Sequence, residues 1–197
     1  ANLVEHLETV LGWSAAPADV MSGYGVNGNV ANGSFEEVAP FGGWGWRYFD
    51  DAGVSRVHDP ATAYDGENFL RLAGGAATHQ NIPASDGETF TVNVWARGAM
   101  AGDELHITMD FRDQGAGAGP STPLQTATAT QVLSTEWQRY AMTATAPIGT
   151  PDPVFHTRVT FTADAGAVVD LDAVVYPDLF ADGFESADVA RWSSVVP

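Results

Sequence analysis

Two neighbouring stretches alternate with period two, and they leave little freedom for the fold. In "ETFTVNVWARG", Phe90, Val92, Val94 and Ala96 point one way, and Thr91, Asn93, Trp95 and Arg97 the other. In "ELHITMDFRD", Leu105, Ile107, Met109 and Phe111 oppose His106, Thr108, Asp110 and Arg112. Successive side chains of a strand point to opposite faces, so each stretch is a strand with one apolar and one polar face. A helix would scatter the same residues around its axis. The pattern recurs in "HTRVTFTAD", with Val159 and Phe161 against Arg158, Thr160 and Thr162, and in "AVVDLDAVVYPD"; "NFLRLAG" and "EWQRYAMTATA" are further strands. Turn signals separate them: Asp86-Gly87, Ala101-Gly102-Asp103, the glycine-rich 113–121, and Pro147 to Pro153. Short alternating strands so punctuated predict an all-β protein, an antiparallel β-sandwich or jelly roll, with no helix inside 31–177.

The flanks read differently. Residues 2–11, "NLVEHLETVL", predict a short amphipathic N-terminal helix, with Asn2 as cap, Glu5 completing a capping box and Gly12 as the stop. Leu3, Val4, Leu7, Val10 and Leu11 form its apolar stripe. A helix this short is marginal alone, so the stripe is expected to dock on the domain or on a neighbouring molecule. Residues 14–30 are small, polar and glycine-rich, a linker or long loop. Three parts follow: helix and linker over 1–30, the sandwich over 31–177, and a tail over 178–197.

Charge and composition exclude several functions. The 197 residues carry 25 Asp and Glu against 8 basic residues, a formal charge of −17. All eight are arginines. Such a surface repels nucleic acid and anionic lipid; it suits solubility, cation binding or a salty setting. No stretch approaches the roughly 20 apolar residues of a membrane span. The absence of cysteine removes disulfides, thiolate metal sites and cysteine nucleophiles. Secretion remains the expectation, with any signal peptide already removed.

Catalytic signatures are missing: no Gly-x-Ser-x-Gly, no His-Glu-x-x-His and no phosphate loop. The five histidines are scattered singly, and no pair of the many carboxylates has a distinguishing spacing. The chain is expected not to be an enzyme. A binding surface is better supported. Trp95 shares the polar face of its strand with Asn93 and Arg97, and neighbouring strands are expected to add His106, Asp110 and Arg112. A flat ring beside hydrogen-bonding groups suits a sugar, with C–H groups on the ring and hydroxyls on the polar groups. The competing reading has Trp95 packed under a loop or under the N-terminal helix.

The order of several motifs carries a resemblance. "NGSFEE" comes first, then Gly43-Trp44, "YDGENFLRL", "GETFTVNVWARG", "STEWQRYAMTATAP" and "VDLDAVVYP". Over residues 31–177 this resembles the calcium-containing jelly-roll carbohydrate-binding modules of the xylan- and glucan-binding type. The resemblance implies a structural calcium tying the first strand to the last. Glu36 and Asp172 would be its ligands, with Asn32 and Glu67 contributing side-chain or backbone oxygens, and Glu37 and Asp170 as rivals. It also implies that Phe35 and Trp44 are core, and that the face carrying Trp95 meets a polysaccharide or glycan. The tail "DLFADGFESADVARWSS" resembles a short C-terminal "DGFES…W" motif of secreted bacterial proteins, read either as a sorting tag or as an unpaired strand. Two functions are therefore expected: a secreted, non-catalytic carbohydrate-binding domain, or a structural subunit that binds copies of itself through its termini in an extracellular filament, coat or matrix.

Overall fold

The computed structural model describes residues 33–36, 46–48, 52–113 and 121–176. The expected N-terminal helix, the linker, Asn32, Glu37, Trp44 and the tail lie outside these residues. Among the described residues ten strands form: β1 (Arg47–Tyr48), β2 (Val54–His58), β3 (Asn68–Ala73), β4 (Ala77–Pro83), β5 (Thr89–Gly98), β6 (Glu104–Arg112), β7 (Pro123–Val132), β8 (Gln138–Thr145), β9 (His156–Ala163) and β10 (Val168–Val175). They make two five-stranded antiparallel sheets, ordered β1-β4-β9-β6-β7 and β2-β3-β10-β5-β8. This is the jelly-roll sandwich that the alternation predicts, and no helix occurs among the described residues.

The two period-two strands face each other across the core. Phe90, Val92, Val94 and Ala96 of β5 meet Leu105, Ile107, Met109 and Phe111 of β6 in one buried cluster, together with Leu70, Leu72, Ile82, Val159, Phe161, Val169 and Leu171. Phe35 joins it fully buried, stacked at a tilt on Trp46 with centroids 5.5 Å apart, and Trp46 meets Phe161 at 5.8 Å. Burying one such aromatic contributes roughly 1.5–3 kcal/mol relative to exposure.

Three strands escape the sequence reading. β2, "VSRVH", is short; β4, "ATHQNIP", ends on a proline; β7, "PLQTATATQV", has threonine and alanine where large apolar residues would mark a strand. Their partners define them. β4 pairs along β9, β7 along β6, and β2 along β3.

Chain order decides what the outer faces carry. The chain crosses from one sheet to the other between β5 and β6, so the polar side chains of these two strands emerge on opposite sides of the molecule. Asn93, Trp95 and Arg97 lie outside the second sheet, and His106, Asp110 and Arg112 outside the first. The six residues expected to form one surface therefore form two. Alternation within a strand fixes its own faces, and it carries nothing about which sheet a strand joins.

Candidate functional site

On the second sheet, residues 59–67 fold over the strands. Asp59 starts the turn, accepting from Ala61 N–H at 3.1 Å and from the Thr62 hydroxyl at 2.6 Å. Asp59 N–H donates to the Glu67 carbonyl at 2.9 Å. The loop lays Tyr64 flat on Trp95, with ring centroids 3.9 Å apart and planes 16° from parallel. Trp137 donates its indole N–H to the Thr62 carbonyl at 2.7 Å and meets Phe69 edge-on at 5.8 Å. Phe69 is buried although it alternates away from the main core, so a small second aromatic cluster sits beneath this loop.

The polar groups of that face bind one another. Asp170 accepts from Arg71 Nε at 2.7 Å and from Arg97 Nε at 3.0 Å. The Arg97 guanidinium lies 4.5 Å from the Trp137 ring centre and 5.3 Å from that of Phe69. Asn93 is buried, and its Oδ1 accepts from both Nε and Nη2 of Arg139. Trp95 is therefore covered by its own loop, and the ring left to solvent is Tyr64, 43% exposed.

The first sheet is built otherwise. Register places Asn81, Arg158, Asp110 and Thr126 in one row across β4, β9, β6 and β7. The row is hydrogen-bonded at both ends: Arg158 Nε donates to Asn81 Oδ1 at 3.1 Å, and the Thr126 hydroxyl to Asp110 Oδ1 at 2.6 Å. Asp110 Oδ2 lies 3.6 Å from Arg112, which also donates to the hydroxyl and carbonyl of Ser121. Two rungs further along β6, His106 pairs with the Thr130 hydroxyl at 3.0 Å and lies 3.7 Å from Asp164. His156, buried at the start of β9, has a pKa lowered to about 4 by burial and by Arg158 and Arg112, so it is neutral at pH 7.

Glu36 and Asp172 meet at a third place. Both hold the same turn through backbone N–H groups. Glu36 Oε1 accepts from residues 67 and 68 at 2.8 Å each, and Oε2 accepts from Asn68 Nδ2 at 2.6 Å. Asp172 Oδ2 accepts from Tyr64 N–H at 2.9 Å and Asp65 N–H at 3.0 Å, and Oδ1 accepts from Ala173 N–H at 2.7 Å. Ala173 has φ 44°, where β10 slips its register against β5; this bulge keeps Asp172 outward while Val174 returns to the core. Arg56 donates to the carbonyls of Phe35 and Glu36 at 2.6 and 2.7 Å.

Gly66 has φ +69°, and a Cβ there would lie 2.4 Å from Glu36 Oε1. A Cβ on Gly33 would strike the Val174 carbonyl at 1.9 Å. Both glycines are required by close approach. Glu67 contributes its N–H here, and its carbonyl is held by Asp59.

The donor set is compatible with a hard cation in one respect. Asp172 is fully buried, and burial pushes its pKa up to about 6 against the pull of three N–H donors. Glu36 sits lower than the ordinary carboxylate range: burial raises it, and the Asn68 and Glu67 hydrogen bonds with Arg56 outweigh that. Each carboxylate keeps one oxygen with a single N–H donor. Among the described residues, no group of three acidic or histidine side chains converges, so further calcium ligands would be carbonyls or water. Asp170, the rival ligand, is committed to Arg71 and Arg97.

The sequence reading did not assign Tyr64, Phe69, Trp137, Asn81, Arg158 or Thr126 to a site. Phe69 and Trp137 had a signal: they fall on the polar phase of β3 and at the mouth of β8. Asn81 and Thr126 lie on β4 and β7, two of the three strands the pattern did not show.

No family model and no curated protein matches the chain. Solved structures with this fold include a cyclase from Fischerella sp. TAU (16% identity, TM-score 0.53, covering 75% of this chain and 94% of that one). Another is the enzymatically active domain of bacteriophage CBA120 tailspike protein 4 (19% identity, TM-score 0.52), where the match covers 75% of this chain and 21% of that one. A weaker likeness, on which the fold assignment does not draw, is to the CBM22-1 xylan-binding domain from Paenibacillus barcinonensis Xyn10C (19% identity, TM-score 0.49, 73% and 89%). At these identities the likeness is one of fold: the chain is a jelly-roll β-sandwich.

Proposed function

We propose that the chain is a non-catalytic carbohydrate-binding domain that takes its glycan on the outer face of the first sheet. The observation that carries this is the row Asn81–Arg158–Asp110–Thr126, flanked by Arg112 and His106. It sets amide, guanidinium, carboxylate and hydroxyl groups on adjacent strands, at the roughly 4.8 Å strand spacing. That spacing suits hydroxyls two ring carbons apart on a sugar, and the preset hydrogen bonds limit the ordering cost of binding. The test is retention on a panel of insoluble polysaccharides. Asp110→Ala is expected to weaken binding about tenfold or more while the protein stays folded.

A second place for the same ligand is favoured by Tyr64, an exposed ring backed by Trp95. Loss of retention in Tyr64→Ala with Asp110→Ala unchanged would move the site there. Loss in neither would end the carbohydrate reading.

We also propose a structural calcium at Glu36 and Asp172, supported by the buried Asp172 charge. The metal would supply the counter-charge, and the two side chains would hold the 64–68 turn against β10. A chelator should then lower Tm beyond the effect of matched ionic strength, and Asp172→Asn should remove that response. An unchanged Tm would contradict the metal. Secretion is part of this reading, since glycan targets and millimolar calcium are both found outside cells.

A further inference from the structure

Four strands lie at sheet edges among the described residues, and two of them carry an arginine against pairing with another chain: β2 has Arg56 and β8 has Arg139. β7 differs. It runs ten residues without a charge, in a chain of net charge −17, and among the described residues it pairs with β6 alone. Its proline and its register slip are confined to its first residues. Open N–H and C=O groups along such an edge are a template for another strand.

The sequence of β7 selects the partner. Residues 125–131 read Gln-Thr-Ala-Thr-Ala-Thr-Gln, the same in both directions about Thr128. We propose that β7 pairs antiparallel with β7 of a second copy about a twofold axis at Thr128, joining two first sheets into one ten-stranded sheet. Every position then meets its like: Gln125 faces Gln131 of the second copy, Thr126 faces Thr130, Ala127 faces Ala129, and Thr128 faces itself. This is the isologous pattern of a twofold dimer, in which residue i meets j and j meets i.

The threonines share the exposed outer face, where paired hydroxyls bond across strands as Thr108 and Thr128 already do at 3.3 Å. The alanines turn inward and are small enough for close approach. Val132, 63% exposed, lies one residue beyond the repeat and is covered in the pair. The inference does not depend on the glycan reading; if both hold, two binding faces lie side by side and act together on one polymer.

The test uses the full chain. Sedimentation from micromolar to millimolar concentration should show a shift from 20.8 kDa to twice that mass. Thr128→Lys, which sets two like charges on the axis, should stay monomeric with an unchanged circular dichroism spectrum. The chain has no cysteine, so single thiols report register. Thr128→Cys should cross-link between copies at least about tenfold faster than Thr126→Cys, whose counterpart across the axis is Thr130. A monomer at every concentration would overturn the pairing. So would a dimer that survives Thr128→Lys, or equal cross-linking at the two positions, since either places the contact elsewhere.

Discussion

Asp172 and His156 are both buried titratable groups, and their effects on stability oppose each other. Asp172 ionises near its ordinary 3.8 when unfolded and near 6 in the fold. The fold therefore prefers its protonated form, and that stabilisation is complete below 3.8 and lost as pH rises through 6. His156 titrates near 6.5 unfolded and about 4 folded, so stability falls as pH drops from 6.5 towards 4. In chelator the two ramps largely cancel, and Tm should change little between pH 6.5 and 4.5. Asp172→Asn should leave a Tm that falls with acid across this window, and His156→Gln one that rises. Parallel slopes in the two variants would contradict the assignment. Gly66 is the other decisive residue: Gly66→Ala combines φ +69° with a clash on Glu36 and should cost about 2 kcal/mol or more by denaturant unfolding.

At the scale of elements, the 59–67 loop turns the outer face of the second sheet into a packed layer. Trp95→Ala should therefore read as a stability change, about 2 kcal/mol from lost stacking and burial, with polysaccharide retention kept. Lost retention at unchanged stability would make Trp95 a ligand platform instead. The sequence placed Trp95 on the correct face of β5 and showed both readings of it, as platform and as ring under a loop. What decided between them was Tyr64, thirty-one residues away, which no local pattern connects to Trp95. β5, β6, β9 and β10 were legible because large apolar residues mark every second position. β7 was not, because an edge strand needs only alanine on its inner side.

For the whole molecule, the sandwich and its core were readable from alternation and turn residues, and the partition of strands between sheets was not. That partition is a matter of long-range pairing. It separates Asn93, Trp95 and Arg97 from His106, Asp110 and Arg112 by the thickness of two sheets. Glu36 and Asp172, which the resemblance brings together, both grip the 64–68 turn that lies between them in the motif order. The 59–67 loop closes the outer face of the second sheet, and among the described residues no loop lies over Arg158 and Asp110 of the first in the same way.

The most direct test is an amide and side-chain NMR titration of the full chain with oligosaccharides released from whichever polysaccharide retains it. Shifts concentrated on His106, Asp110, Arg112, Arg158 and Thr126 are the predicted result. Shifts concentrated on Tyr64, Arg97 and Trp137, with the first sheet silent, would contradict it.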